Sequence, residues 1–156
     1  MFNLRKKWTV LIVNGPNMNL LGVREPEHYG TLTLKELNRQ IKALARSKNV
    51  RCLFFQSNHE GRIIDFIHRC YRRADGMIIN PGALTHTSYA LRDAISGTSL
   101  PTVEVHLSDI RKRERFRRVS VIRQVCIGQK SGLGMESYFR GLEDLLRHLD
   151  RLQPRS

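Results

Sequence analysis

The feature that most constrains this chain is an alternation. Short apolar, β-branched runs at residues 9–13, 50–55, 76–79, 102–105 and 121–127 are separated by longer stretches whose apolar residues recur every three or four positions. Apolar runs of that length read as strands buried on both faces, and the three-and-four spacing reads as helix. Leu34, Leu37, Ile41, Leu44 and Ala45 form one helical stripe. Ile63, Ile64, Ile67 and Cys70 form a second, expected to begin near Ser57 or Asn58, both good N-cap residues. A third helix is expected to start between Thr85 and Ser88 and to carry Ala90, Leu91, Ala94 and Ile95. The last, from about Glu136, has a broad core stripe of Tyr138, Phe139, Leu142, Leu145, Leu146 and Leu149.

Strands that alternate with helices build βαβ units and a parallel sheet. Five strands and four longer helices predict an α/β, flavodoxin-like doubly wound fold: strand order 2-1-3-4-5 in three α/β/α layers, with a crevice near strands one and three. At 156 residues the chain is expected to be one catalytic domain, 1–156, with a core from about 8 to 151 and frayed ends. Cys52, Cys70 and Cys126 are odd in number and have no CxxC pair, which favours reduced, largely buried thiols over disulfides or a zinc site. The basic start leads into only a short apolar stretch, so neither a secretory signal nor a membrane span is read, and a cytoplasmic location is expected.

In such sheets ligands bind beyond the carboxyl ends of the strands. The loops after Val13, Phe55, Ile79 and Val105 therefore open on one rim. The first is punctuated by glycine and proline and sets Arg24 and Tyr29 five residues apart, a cation and a potential base. At the fourth, Glu104 and His106 share one side of a strand, because residues i and i+2 share a face. The two together suggest acid–base catalysis.

The charge says less. With 27 Lys+Arg against 14 Asp+Glu, the formal +13 attracts a carboxylated metabolite, a phosphate or a nucleic acid equally well. Arg111, Lys112, Arg113, Arg115, Arg117 and Arg118 form a dense run around Glu114, read as mostly a solvated face with one or two members serving a ligand. The alternative to an enzyme is a basic flavodoxin-like module that binds phosphate or RNA. Against it, the chain has no Walker loop or GxGxxG fingerprint, and its aromatics do not interleave with basic residues as a stacking platform would.

Four linked motifs sharpen this reading: NGPNMNLLGVREPEHYGT, QSNHEGRIIDFIH, INPGALTHTSYALRDAI, and PTVEVHLSDI followed by ERFRRVS. In order and spacing they resemble the type II 3-dehydroquinate dehydratases of the shikimate pathway, from about Val10 to Ser120 and more loosely to the Gly132-Leu133-Gly134 turn. The resemblance implies anti elimination of water from 3-dehydroquinate, with no metal, organic cofactor or Schiff base. It implies Tyr29 as the base and Arg24 as the cation that stabilises its phenolate, since an unperturbed tyrosine, pKa about 10, is protonated at neutral pH. His106 would be the general acid for the departing hydroxyl, and Asn17 would position a water against the enolate oxygen. Glu104 would orient His106 or merely pair with an arginine, and Asn17 has the alternative of a turn-forming residue after Pro16. Asn80, His86, Asp93, Leu107, Ser108 and Arg117, with Arg113, fall on ligand-contacting positions. Of these, Asp93 and His86 are expected to share a face of one helix, and Leu107 and Ser108 to offer backbone N–H groups to a carboxylate. A homo-oligomer, a dodecamer built as a tetramer of trimers, is also implied, with a small-molecule substrate and no nucleic acid or membrane partner.

Overall fold

A computed structural model describes residues 7–23 and 26–153, the side chains of His28 and Tyr29 excepted. The expected fraying of the far ends falls mostly outside these residues. The five strands are β1 (Trp8–Asn14), β2 (Val50–Gln56), β3 (Gly76–Asn80), β4 (Thr102–His106) and β5 (Gly128–Ser131). They form one sheet in the order β2-β1-β3-β4-β5 with every pairing parallel, as the alternation predicts. The helices are α1 (Pro26–Tyr29, one turn), α2 (Leu34–Ser47), α3 (Glu60–Cys70), α4 (Tyr89–Thr98) and α5 (Glu136–Leu152).

Strand periodicity divides the core. Val10, Ile12, Ile78, Val103 and Val105 face the layer that holds Leu37 and Ile41 of α2 and Leu142 and Leu145 of α5. Their neighbours Leu11, Val13, Met77 and Ile79 face the opposite layer, against Ile63 and Ile67 of α3 and Leu91 and Ile95 of α4. β1 and β3 are thus apolar on both faces, which is why their sequences are continuous runs, whereas β4 is apolar only on the face of Val103 and Val105. Thr33 caps α2 by accepting from the Glu36 N–H, and Ser88 caps α4 by accepting from the Leu91 N–H at 2.9 Å.

Three expectations need correction. The last strand is Gly128–Ser131, not residues 121–127. In that apolar stretch Ile122 and Cys126 are buried against the α3 and α4 layer as a 3-10 turn and loop, while the polar Gly128–Ser131 pairs with β4 by backbone alone. The cap of α3 is His59, without a side-chain bond, and Ser57 Oγ instead accepts from the His59 N–H at 3.0 Å. His86 ends a 3-10 turn, Gly82–His86, and Asp93 lies on α4 beyond the Ser88 cap, so the two do not share a helix.

Candidate active site

Register builds the rim. Asn14 pairs with Gln56 on one side and with Asn80 on the other, so three amide side chains end adjacent strands. The loops leaving β1 and β3 are pressed together: the Gly15 N–H donates to the Asn80 carbonyl at 2.8 Å, and a Cβ on Gly15 would stand 2.3 Å from the Pro81 carbonyl oxygen. From the other side Gly82, at φ +59°, would place a Cβ 2.8 Å from the Pro16 carbonyl oxygen. Glycine is needed at both points of this close approach.

Beneath the rim, α5 delivers Tyr138 into the core. Its hydroxyl donates to Asn14 Oδ1 at 2.6 Å and accepts from Asn80 Nδ2 at 3.0 Å. Asn80 Oδ1 accepts in turn from the Gly82 N–H at 3.2 Å. Burial pushes the Tyr138 phenol well above its usual range, against the opposing pull of Asn80, so it stays a neutral link between the asparagines. Tyr138 read from sequence only as part of a core stripe; its polar tip was legible in residue type but had no partner until the strands met.

A cleft opens above this rim, lined on one side by Pro16, Asn17 and Met18 and on the other by His106, Leu107 and Ser108. Asn17 lines it from the β1 loop in a left-handed conformation, φ 67°, that asparagine tolerates. Its N–H donates to Asn58 Oδ1 at 2.9 Å. Asn17 therefore shapes the turn and borders the cleft, and Asn58 is a brace that sequence reading missed.

From β4 come His106, Leu107 and Ser108. Glu104 is fully buried, and its Oε1 stands 2.6 Å from His106 Nε2. An ionised carboxylate only accepts, so Nε2 carries the hydrogen and Nδ1 is left for a ligand or proton. Glu104 thus stands against His106, and its other oxygen against Ser120. The segment beyond is tied back to the turn after β5: the Leu107 carbonyl accepts from Gly134 N–H at 2.9 Å, and the Ser108 carbonyl from Gly132 N–H at 3.1 Å and Ser131 Oγ at 3.0 Å.

His86 closes the β3 side. Its Nδ1 lies 2.7 Å from the Val119 carbonyl, which fixes the Nδ1–H tautomer. Partial burial, with His106 and Arg117 nearby, holds its pKa below the usual value despite the raising effect of that carbonyl and of Glu104. Arg113 and Arg117 line the cleft out of the basic run. Arg113 is only 9% exposed, with a long 3.4 Å contact to Ser108 Oγ, and Arg117 Nε pairs with Glu114 at 3.0 Å while its guanidinium lies over the Phe116 ring. Lys112 and Arg115 are exposed, as expected of a solvated face.

The fold thus gathers Asn17, Asn80, His86, His106, Leu107, Ser108, Arg113 and Arg117 around one cleft with Glu104 beneath it. Asp93 does not line it and is exposed on α4. Arg24 and the side chain of Tyr29 lie outside the described residues. Among the described residues no three His, Cys, Asp or Glu side chains come together as a metal ion would need, and no helix is long and apolar enough to cross a membrane.

The fold and the site together are those of a doubly wound α/β protein with a buried carboxylate–histidine pair at its crevice, residue types suited to acid–base chemistry. Residues 8–146 match the family described as Dehydroquinase class II. A 3-dehydroquinate dehydratase from Carboxydothermus hydrogenoformans is 51% identical over 142 residues, covering 91% of this chain and 92% of its own. One from Halothermothrix orenii is 54% identical over 137 residues, covering 88% and 93%. Among solved structures, the type II dehydroquinase from Butyrivibrio crossotus superposes with a TM-score of 0.88 at 44% identity, covering 89% of this chain and 97% of its own. The chain belongs to the class II dehydroquinase family.

Proposed function

We propose that the cleft performs the reaction of a 3-dehydroquinate dehydratase, a hydro-lyase step of the shikimate pathway, by anti elimination of water through an enolate. The observation that carries this reading is the Glu104–His106 pair at 2.6 Å, set at the carboxyl ends of the strands beside two arginines, in a chain of this family. Tyr29 as phenolate, stabilised by Arg24, takes the proton α to the ketone. Electrons pass to the carbonyl oxygen as the enolate, against which Asn17 positions a water. The enolate then collapses to the conjugated enone as the C1–O bond breaks, and His106 protonates the departing hydroxyl, which leaves as water. With Nε2–H committed to Glu104, His106 acts as the imidazolium: Nδ1 gives its proton to the leaving oxygen and the neutral Nε2–H ring remains.

The remaining residues bind the ring. Leu107 and Ser108 offer backbone N–H groups, and Ser108 its hydroxyl, to the substrate carboxylate. Asn80 and His86 face ring hydroxyls from the β3 side; Arg113 and Arg117 supply the positive field that an anionic substrate needs. Asp93 remains a substrate-contact candidate by its match to the family alone. The working form in this reading is a cytoplasmic dodecamer, a tetramer of trimers, whose solution mass would be about twelve times the 18.1 kDa of one chain.

The test is direct. Mixing the protein with 3-dehydroquinate should produce the absorbance of the conjugated enone, catalytically and without added metal. No absorbance from folded protein would end this reading.

A further inference from the structure

The ERFRRVS segment contributes Arg117 to the cleft, yet its last residue, Ser120, stands outside the cleft lining and has no part in the chemistry above. Its surroundings give it one. Ser120 Oγ donates to Glu104 Oε2 at 2.9 Å, the oxygen that His106 does not use. The same Oγ accepts the Arg123 N–H at 3.1 Å. A hydroxyl has one hydrogen, so the accepted N–H leaves that hydrogen for the carboxylate. The chain runs in one sense: Arg123 N–H to Ser120, Ser120 O–H to Glu104, and His106 Nε2–H to Glu104.

The residues on either side of Ser120 are also anchored. The Val119 carbonyl accepts from His86 Nδ1 at 2.7 Å. The Val121 N–H donates to the Thr85 carbonyl at 2.9 Å, and the Val121 carbonyl accepts from Arg92 Nη1 of α4 at 2.8 Å. Ile122 is fully buried in the core just beyond. Two consecutive residues therefore reach the two cleft histidines, Val119 directly and Ser120 through Glu104, while Val121 anchors them.

We infer that the Val119–Ser120–Val121 strap sets the tautomers of the two cleft histidines, with Ser120 as the positioning residue that holds the Glu104 carboxylate in line with His106. The proposal rests on the dehydratase reading for its kinetic consequence but not for its geometry. With both carboxylate oxygens engaged, the fully buried Glu104 has one orientation and His106 one donor nitrogen. Without the Ser120 hydroxyl, Oε2 loses its donor, the carboxylate gains freedom, and Nδ1 of His106 is no longer reserved for the substrate.

The experiment compares Ser120→Ala, Ser120→Thr and Ser120→Val, the last two alike in shape and different only in the hydroxyl. In Ser120→Ala and Ser120→Val, kcat should fall on the order of tenfold with KM within about twofold, the scale of losing one charge-assisted hydrogen bond, and Ser120→Thr should recover most of kcat. In parallel, ¹⁵N-histidine-labelled protein is studied by magic-angle-spinning NMR, with His106 and His86 assigned from their glutamine variants. His106 should be Nε2–H in the wild type and Ser120→Thr and mixed in Ser120→Val, while His86 stays Nδ1–H throughout. Equal impairment of the Thr and Val variants, or a His106 tautomer indifferent to the hydroxyl, would overturn the strap. If the wild type does not turn over 3-dehydroquinate, the functional reading falls by itself, and the tautomer spectra still decide this proposal.

Discussion

Replacing Tyr138 by phenylalanine isolates the polar contact on which the rim is built. The ring remains in place between the strands and α5, so the change deletes one oxygen and opens almost no cavity. That oxygen holds two amides: it donates to Asn14 Oδ1 at 2.6 Å and accepts from Asn80 Nδ2 at 3.0 Å. Asn14 and Asn80 are 1% and 4% exposed, so water cannot replace it without structural opening. Each orphaned buried group costs about 1–3 kcal/mol, partly offset because the phenol no longer has to be desolvated, which leaves a net loss of about 2–3 kcal/mol. The assay is urea unfolding at fixed protein concentration, reading a lower midpoint at unchanged m-value. In the Asn80→Ala background the same substitution should cost about 1 kcal/mol less, because one partner is already gone. KM should rise as Asn80 loses its anchor. A loss under about 0.5 kcal/mol, or an identical loss in the Asn80→Ala background, would refute the claim that this hydroxyl couples the core to the rim.

Tyr29→Phe should nearly abolish turnover while KM stays within a few-fold, and His106→Ala should lower kcat by a factor on the order of 10²–10⁴; steady-state kinetics at the enone band read both. The His86 pKa is held down in the folded state, so the unfolded chain binds the extra proton first and stability falls as pH drops below the usual histidine value of about 6.5. Urea midpoints between pH 7.5 and 5.5 should show this decline, and His86→Gln should flatten it. Burial pushes the Cys126 thiol up to about 12, so native protein at pH 8 should leave Cys126 unlabelled by an aromatic disulfide reagent, as peptide mass mapping can show, and urea should expose it.

The sequence by itself determined the sheet. Apolar, β-branched runs at β1 to β4, continuous in β1 and β3, and helical stripes at α2 to α5 leave a chain of this length few ways to bury both, and parallel βαβ winding puts every strand's carboxyl end on one rim. It also exposed the acid–base residue types, because Glu104 and His106 must share a face two apart on a strand. Tertiary structure decided what no local pattern encodes. Polar Gly128–Ser131 became β5 because β4 had an open edge to pair with, whereas apolar Ile122 and Cys126 were worth more as packing beneath α3 and α4. Arg113 left the solvated face that its charge run predicts because the turn carrying it folds back over Ser108. Asp93 stayed on the exposed face of α4, a helix that starts at the Ser88 cap and does not include His86. The links from Tyr138 to Asn14 and Asn80, and from Ser120 to Glu104, join residues from 16 to 124 positions apart. Such hydrogen bonds depend on distance and direction, and those exist only after the hydrophobic layers have closed and fixed the strands against one another.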